Sequence, residues 1–104
     1  PTVPVEQRTA VRVRVLNAGG PAGSASFTTG ILGGEGFDPE GPGDGVVGVD
    51  QHTVVFAPGQ EIAAATVNQF VNAAPEFVIE ANPDDPNWAE FGSNLDVLVL
   101  VGPQ

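Results

Sequence analysis

The sequence predicts an α/β two-layer sandwich, in which a mixed sheet carries two helices on one face. Early in the chain, valines alternate with Arg12 and Arg14, which is the period of a half-buried strand. A glycine-rich turn and a Ser/Ala/Thr segment then follow, as in a strand–turn–helix unit. Close to the end, residues 95–101 form a continuous apolar run that is typical of a central strand.

The first half of the chain contains the first helix and the less regular part of the sheet. The alternating strand covers residues 10–16, and Pro21 suits a first helical position, so a helix is predicted over residues 22–33. A second, irregular strand begins at Phe37. It is interrupted by an exposed Gly- and Pro-rich loop and resumes at three valines, Val46, Val47 and Val49.

The second half alternates strands with one stronger helix. A third strand is predicted over residues 52–56, and an amphipathic stripe predicts a helix over residues 60–74. A fourth strand at residues 76–80 and a polar loop at residues 82–94 precede the last strand, residues 95–101. The predicted order is therefore β-α-β-β-α-β-β, with the first, third and last strands at the centre. The residues expected to be buried are Leu16, Leu32, Phe56, Val67, Val71, Val97, Val99 and Val101.

The chain of 104 residues is long enough for one domain with a single core. We assign residues 1–9 to an N-terminal linker and residues 10–104 to the domain. Cysteine is absent, which excludes a thiol nucleophile and a zinc–thiolate site. No apolar run is long enough to cross a bilayer, and we expect any membrane anchor to lie upstream of Pro1.

The net charge of the chain limits the classes of partner that the domain can bind. The net charge is −10, and the basic residues are three arginines, Arg8, Arg12 and Arg14, all within the first fourteen positions. A polyanion would be repelled by most of such a surface. The composition therefore predicts that the domain does not bind nucleic acid.

The turn after the first strand is a near match to a dinucleotide-binding fingerprint. Ala18, Gly20 and Gly23 follow its spacing, with alanine in place of the first glycine. Such a turn can offer backbone N–H groups to an anion, and Asn17, Gly20 and Gly23 are the candidate residues. The alternative is a tight turn that lets the helix pack closely against the strand, and the sequence favours this structural interpretation.

Other chemistry-bearing residues form no recognisable catalytic or metal-binding pattern. Acidic residues cluster in two loops, around Asp38 and around Asp84, but neither cluster has the spacing of an EF-hand. His52 is the only histidine, and no serine lies in a nucleophile-elbow motif. The sequence therefore predicts no catalytic residues, no metal site, no cofactor and no enzymatic activity.

Two further features could contact a ligand. Trp88 lies in the polar loop before the last strand, where it either stacks on a ligand or plugs the open end of the core; the second interpretation is favoured. Arg12 and Arg14 are expected on the sheet face that the helices leave open. They could attract an acidic wall polymer or lipid headgroup, or simply pair with acids such as Asp96 or Glu80.

With these elements placed, the chain resembles the C-terminal domain of LytR/CpsA/Psr cell-envelope proteins. The similar segments are residues 11–17, residues 23–25 with Leu32, the Gly36-Phe37 pair, residues 53–59 and residues 96–102. The chain departs from the family pattern at Ser24, where leucine is usual.

The resemblance implies an α/β domain on the extracytoplasmic face of the membrane, of a type found in Gram-positive bacteria and actinobacteria. It implies a non-enzymatic role in supporting cell-envelope and peptidoglycan integrity by binding a cell-wall polymer, a lipid or an envelope protein. An alternative is a small-ligand-binding or acylphosphatase-like enzyme domain on a ferredoxin-like fold, which would need Asn17 and an arginine beside a phosphate cradle.

Overall fold

The computed structural model describes the whole chain, residues 1–104. Its five strands are β1 (Val13–Asn17), β2 (Gly43–Asp44), β3 (Thr53–Phe56), β4 (Val78–Glu80) and β5 (Val97–Val101). They form one sheet in the spatial order β2-β1-β5-β3-β4. β1 is parallel to β2 and β5, β3 is parallel to β4, and β3 is antiparallel to β5. The prediction that the first, third and last strands hold the centre is confirmed.

Two helices cover one face of this sheet, which confirms the predicted fold class. α1 (Ser24–Gly34) and α2 (Glu61–Val71) pack their buried sides onto β1, β3 and β5. The helices contribute mostly small side chains to this core, so their backbones approach the sheet closely. The core on this face includes Val13, Val15, Val54, Phe56, Val97, Val99 and Val101 from the strands, and Ala25, Leu32, Ala63, Ala64 and Val67 from the helices.

The opposite face is also covered, and the expectation that it would be left open was wrong. A short helix, α3 (Pro86–Phe91), lies there within the predicted polar loop. With Trp88 and Phe91 it packs against a second core, which contains Leu16, Val55, Leu95, Leu98 and Leu100. The reason is the apolar run of β5, because alternate side chains of a strand point to opposite faces and both sets here are apolar.

The helix boundaries differ from the predicted ones for local reasons. Gly23 has a φ of 84°, so α1 begins one residue after it instead of at position 22. Asn72 adopts a left-handed conformation with φ of 63° and ends α2, which was predicted to reach position 74. All predicted core residues are buried except Val71, which is half-buried because it is the last residue of α2. None of the helices has the length and apolar character needed to span a bilayer.

The second strand is shorter and later than predicted. Phe37 is buried outside the sheet, and β2 has only two residues, Gly43 and Asp44. Val46 and Val47 do not resume pairing and are exposed. Val49 donates its N–H to the Ala18 carbonyl without extending a strand.

Residues 1–9, assigned to a linker from the sequence, lie against the helical layer. A 3₁₀ helix spans Val5–Ala10, and the Val3 N–H donates to Thr66 Oγ1 of α2 at 2.9 Å. The Arg8 guanidinium lies 5.5 Å from the Phe37 ring centroid and 5.4 Å from that of Phe70. These contacts tie the N-terminal segment to both long helices, because Phe37 follows α1 and Phe70 belongs to α2.

Candidate functional site

The side chain of Asn17 is used within the turn that follows β1. Its Oδ1 accepts hydrogen bonds from the N–H groups of Gly19 and Gly20, at 3.3 and 2.8 Å. Its Nδ2 donates to the Pro21 carbonyl at 3.0 Å. The carboxamide therefore closes the turn, and it offers little free hydrogen-bonding capacity to a substrate.

The two glycines of the predicted anion site have different environments. A Cβ at Gly20 would lie 2.9 Å from the Gly102 carbonyl oxygen, so Gly20 allows the turn to pass close to the end of β5. Gly23 has open space around it and supplies the positive φ that precedes α1. Asn17 and Gly23 line a small cavity of about 230 Å³ that also contains Asp44. Because a carboxylate repels anions, this cavity gives no support to an anion site.

Arg12, just before β1, and Arg14, within it, both contact other parts of the protein. Arg12 Nη2 lies 3.4 Å from Asp96 Oδ1, the pairing considered from the sequence. Arg14 has no acidic partner. Its Nε donates to the Gly41 carbonyl at 2.9 Å and its guanidinium lies 5.1 Å from the Phe91 ring centroid.

Trp88 covers the second core. Its ring packs against the cluster that contains Leu98 and Leu100, and it lies so close to Gly92 that a Cβ there would overlap the ring. The geometry is that of a hydrophobic plug, because one side of the indole contacts the protein interior.

The predicted binding residues therefore lie at separate places. Arg12 directly precedes β1, and Arg14 lies on the α3 face of that strand. Asn17, Gly20 and Gly23 are at or beyond its carboxyl end, and Trp88 covers the second core. The structure also contains no group of three or more His, Asp or Glu side chains with the geometry to bind a metal ion.

A groove at the carboxyl end of β5 is the most enclosed of three surface cavities, although it is not the largest. It has a volume of about 360 Å³ and lies between α1 and the C-terminal end of α2. Five of its 11 lining residues have large apolar side chains, namely Phe27, Ile31, Phe70, Val71 and Val101. In open α/β sheets, ligands bind in crevices outside the carboxyl ends of strands, which is where this groove lies.

The polar end of the groove is formed by Ser24 and His52, which both lie near Gly102. His52 Nδ1 accepts the Gly102 N–H at 3.2 Å. In the neutral imidazole this leaves the proton on Nε2, which is then a donor. Ser24 Oγ is shielded from solvent and has no hydrogen-bond partner.

Sequence reasoning set Ser24 and His52 aside because neither belongs to a catalytic motif. What it missed is their proximity. β1 is parallel to β5, so the turn that leads to Ser24 lies at the end of β5, and the antiparallel pairing of β3 with β5 brings His52 to the same edge of the sheet. The apolar lining was missed for a related reason: Phe27 and Phe70 belong to different helices, and only their packing on one sheet face makes them neighbours.

Comparison with known proteins identifies the family to which this fold belongs. Residues 10–104 match the family described as "LytR cell envelope-related transcriptional attenuator", the LytR C-terminal family. The match covers nearly the whole chain, and the protein belongs to this family. The resemblance seen in the sequence is thereby confirmed. A search of curated proteins finds no significant match.

Two solved structures share the fold. One is the soluble domain of a secreted protein of Mycobacterium marinum, the ortholog of Rv2700, with a TM-score of 0.61 and 23% identity. The alignment covers 97% of this chain but 64% of that one, so the chain spans less than two thirds of its length. The other is the C-terminal domain of Rv0431, with a TM-score of 0.55, 23% identity and coverage of 98% and 75%.

Proposed function

We propose that this domain is a non-enzymatic module that supports the integrity of the cell envelope by binding an envelope component. Its family is related to the cell envelope, and one structural neighbour is a secreted protein. The observation that carries the binding role is the groove beside His52, an apolar crevice at the carboxyl edge of the sheet. We propose accordingly that the domain lies on the outer side of the cytoplasmic membrane, held there by a segment upstream of Pro1.

The polar side chains near the predicted turn favour binding over catalysis. An acylphosphatase-like reaction needs a free asparagine and an arginine beside a phosphate cradle. Here Asn17 is occupied by the turn, Arg12 pairs with Asp96, and Arg14 contacts Gly41 and Phe91. The partner is accordingly a cell-wall polymer, a lipid or an envelope protein that is held without being chemically changed.

Location is tested on the natural full-length protein in its own host. Protoplasts are treated with protease under conditions that leave a cytoplasmic marker intact, and the domain is followed with an antibody. We expect the domain to be degraded while the marker survives. Protection of the domain until the membrane is lysed would contradict the proposed location.

The role in the envelope is tested by deletion and complementation. We expect deletion to increase sensitivity to detergent and to cell-wall antibiotics, and the wild-type gene to restore resistance. A Phe27→Ser gene should restore it less well, because Phe27 lines the groove. Ile62→Ser should restore it fully, because Ile62 is also an exposed apolar residue but lies outside the groove. Equal complementation by both variants would remove the groove from the proposed function.

A further inference from the structure

We infer that the groove between α1 and α2 binds a neutral amphiphile, an apolar chain with an uncharged hydrogen-bonding head group. The inference rests on the proposed binding role and specifies the class of ligand that the groove takes. Three properties of the groove support it: its apolar length, the absence of compensating charge, and its polar end.

The apolar length comes from α1 and α2. Phe27 is 71% exposed, although it is one of the largest apolar side chains in the chain. Beside it, Ile31, Phe70 and Val71 continue the lining across to α2. An alkyl chain lying here would remove the Phe27 ring and its neighbours from water, which is the main favourable term in binding an apolar ligand.

The lack of charged side chains in the lining argues against ligands with an ionised head group. None of the 11 residues that line the groove is Asp, Glu or Arg. The chain has a net charge of −10 and three arginines, of which Arg12 pairs with Asp96, Arg14 contacts Gly41 and Phe91, and Arg8 donates to the Glu35 carbonyl. Within the lining, an anionic head group would meet no arginine and a cationic head group would meet no carboxylate, so burying either is unfavourable.

The polar end suits one neutral head group. His52 presents Nε2 as its donor because Nδ1 is occupied by the Gly102 N–H. Ser24 Oγ packs against Gly20 without a partner, and a buried hydroxyl in that state is destabilising. Ser24 lines the groove, and its hydroxyl must rotate about the Cα–Cβ bond to meet a ligand. There a ligand hydroxyl, ester or amide would give it the partner that the unliganded protein lacks.

The probes are three ligands of equal chain length, namely octanol, octanoate and octylammonium, each titrated into the ¹⁵N-labelled domain. We expect octanol to shift the amide resonances of residues lining the groove, Phe27, Ile31 and Gly102 among them. We expect octanoate and octylammonium to bind at these residues about tenfold more weakly or worse. The reason is that each would bring a charged head group to a groove whose lining holds no charged partner for it. Equal binding of all three probes, or octanol shifts confined to other surfaces, would overturn the inference.

A matched pair of variants tests the head-group contact. Ser24 and Thr29 are the two residues with shielded, unpartnered hydroxyl oxygens, and only Ser24 lines the groove. Both Ser24→Ala and Thr29→Val should leave the melting temperature unchanged or raise it. Ser24→Ala should also weaken octanol binding about three- to tenfold, the usual effect of one neutral hydrogen bond, while Thr29→Val should not.

The outcomes separate this inference from the proposed function. Unchanged octanol affinity in Ser24→Ala would overturn the head-group assignment. Failure of octanol to bind at all would overturn the ligand class. Neither result would alter the location of the full-length protein or the deletion phenotype, which test the envelope role directly.

Discussion

One buried carboxamide holds the loop that follows β2. Asn87 is 1% exposed, and its Oδ1 accepts from the N–H groups of Val46 and Val47 at 2.6 and 3.2 Å. Its Nδ2 donates to the Val47 carbonyl at 3.0 Å. A single side chain on α3 thus satisfies three backbone groups some forty positions away in sequence, and this fixes the path of the loop without any strand pairing.

Replacement of this residue should be costly. Asn87→Ala leaves the three backbone groups without their partners, so we expect the free energy of unfolding to fall by about 2–4 kcal/mol. Urea unfolding followed by the fluorescence of Trp88 gives the measurement. Asn94→Ala, a change at an exposed asparagine, is the control and should have little effect. Equal effects of the two changes would show that the buried amide does not stabilise the loop.

At the scale of elements, the two arginines at the start of β1, Arg12 just before it and Arg14 within it, have different surroundings. The Arg12 side chain is 62% exposed and forms an ion pair with Asp96. Arg14 is half-buried beneath α3, where it contacts the Phe91 ring and the loop before β2. From the sequence we expected this face of β1 to be open to a partner. Part of it is instead an internal contact surface between the strand and α3.

This difference predicts unequal effects on stability. Arg14→Ala should lower the free energy of unfolding by about 1–2 kcal/mol, because it removes a hydrogen bond and a ring contact. Arg12→Ala should lower it by less than about 1 kcal/mol, the usual range for an exposed ion pair. Urea titrations of both single variants and the double variant test this ranking.

The same variants test the arginines as a binding site. Binding of the double variant Arg12→Ala/Arg14→Ala to cell-wall extract, measured alongside the wild type, should be unchanged while its stability falls. Lost binding in a variant that remains folded would restore the idea that these arginines attract an acidic polymer.

At the scale of the whole molecule, the N-terminal segment joins the two long helices. Arg8 lies beside the rings of both Phe37 and Phe70 and donates to the Glu35 carbonyl at 2.7 Å. These contacts hold the carboxyl end of α1 and the side of α2 together. The segment therefore contributes to the fold although the family match begins only at position 10.

Loss of the Arg8 contacts should lower the melting temperature. Arg8→Ala removes a charge-assisted hydrogen bond and two ring contacts, so we expect a loss of about 1–2 kcal/mol, or several degrees for a domain of this size. Arg8→Lys keeps the charge but not the planar guanidinium, and should recover only part of the loss. Calorimetry of the three proteins gives the comparison, and wild-type stability in Arg8→Ala would show that the segment is only loosely attached.

Strong periodicity explains why much of the sheet was predictable. β1 alternates, β3 and β5 are apolar, and α2 has a regular stripe, so each has a local pattern that survives in the structure. α3 was missed because its loop is polar overall. Asp85 and Pro86 nevertheless form a helix start, and Asp85 does accept the Asn87 N–H as a cap.

The sequence by itself determined the fold class, the central strands, the two long helices and the family, because these depend on hydrophobic period and on turn residues that act locally. Only the tertiary structure decided which side chains remain available to contact a ligand. In the folded protein Asn17 is hydrogen-bonded within a turn, Arg14 contacts α3, and α3 covers the sheet face that was expected to be open. The tertiary structure also brought Phe27, His52 and Phe70 to one groove, because contacts between distant segments depend on the packing of helices and strands, which no local pattern encodes.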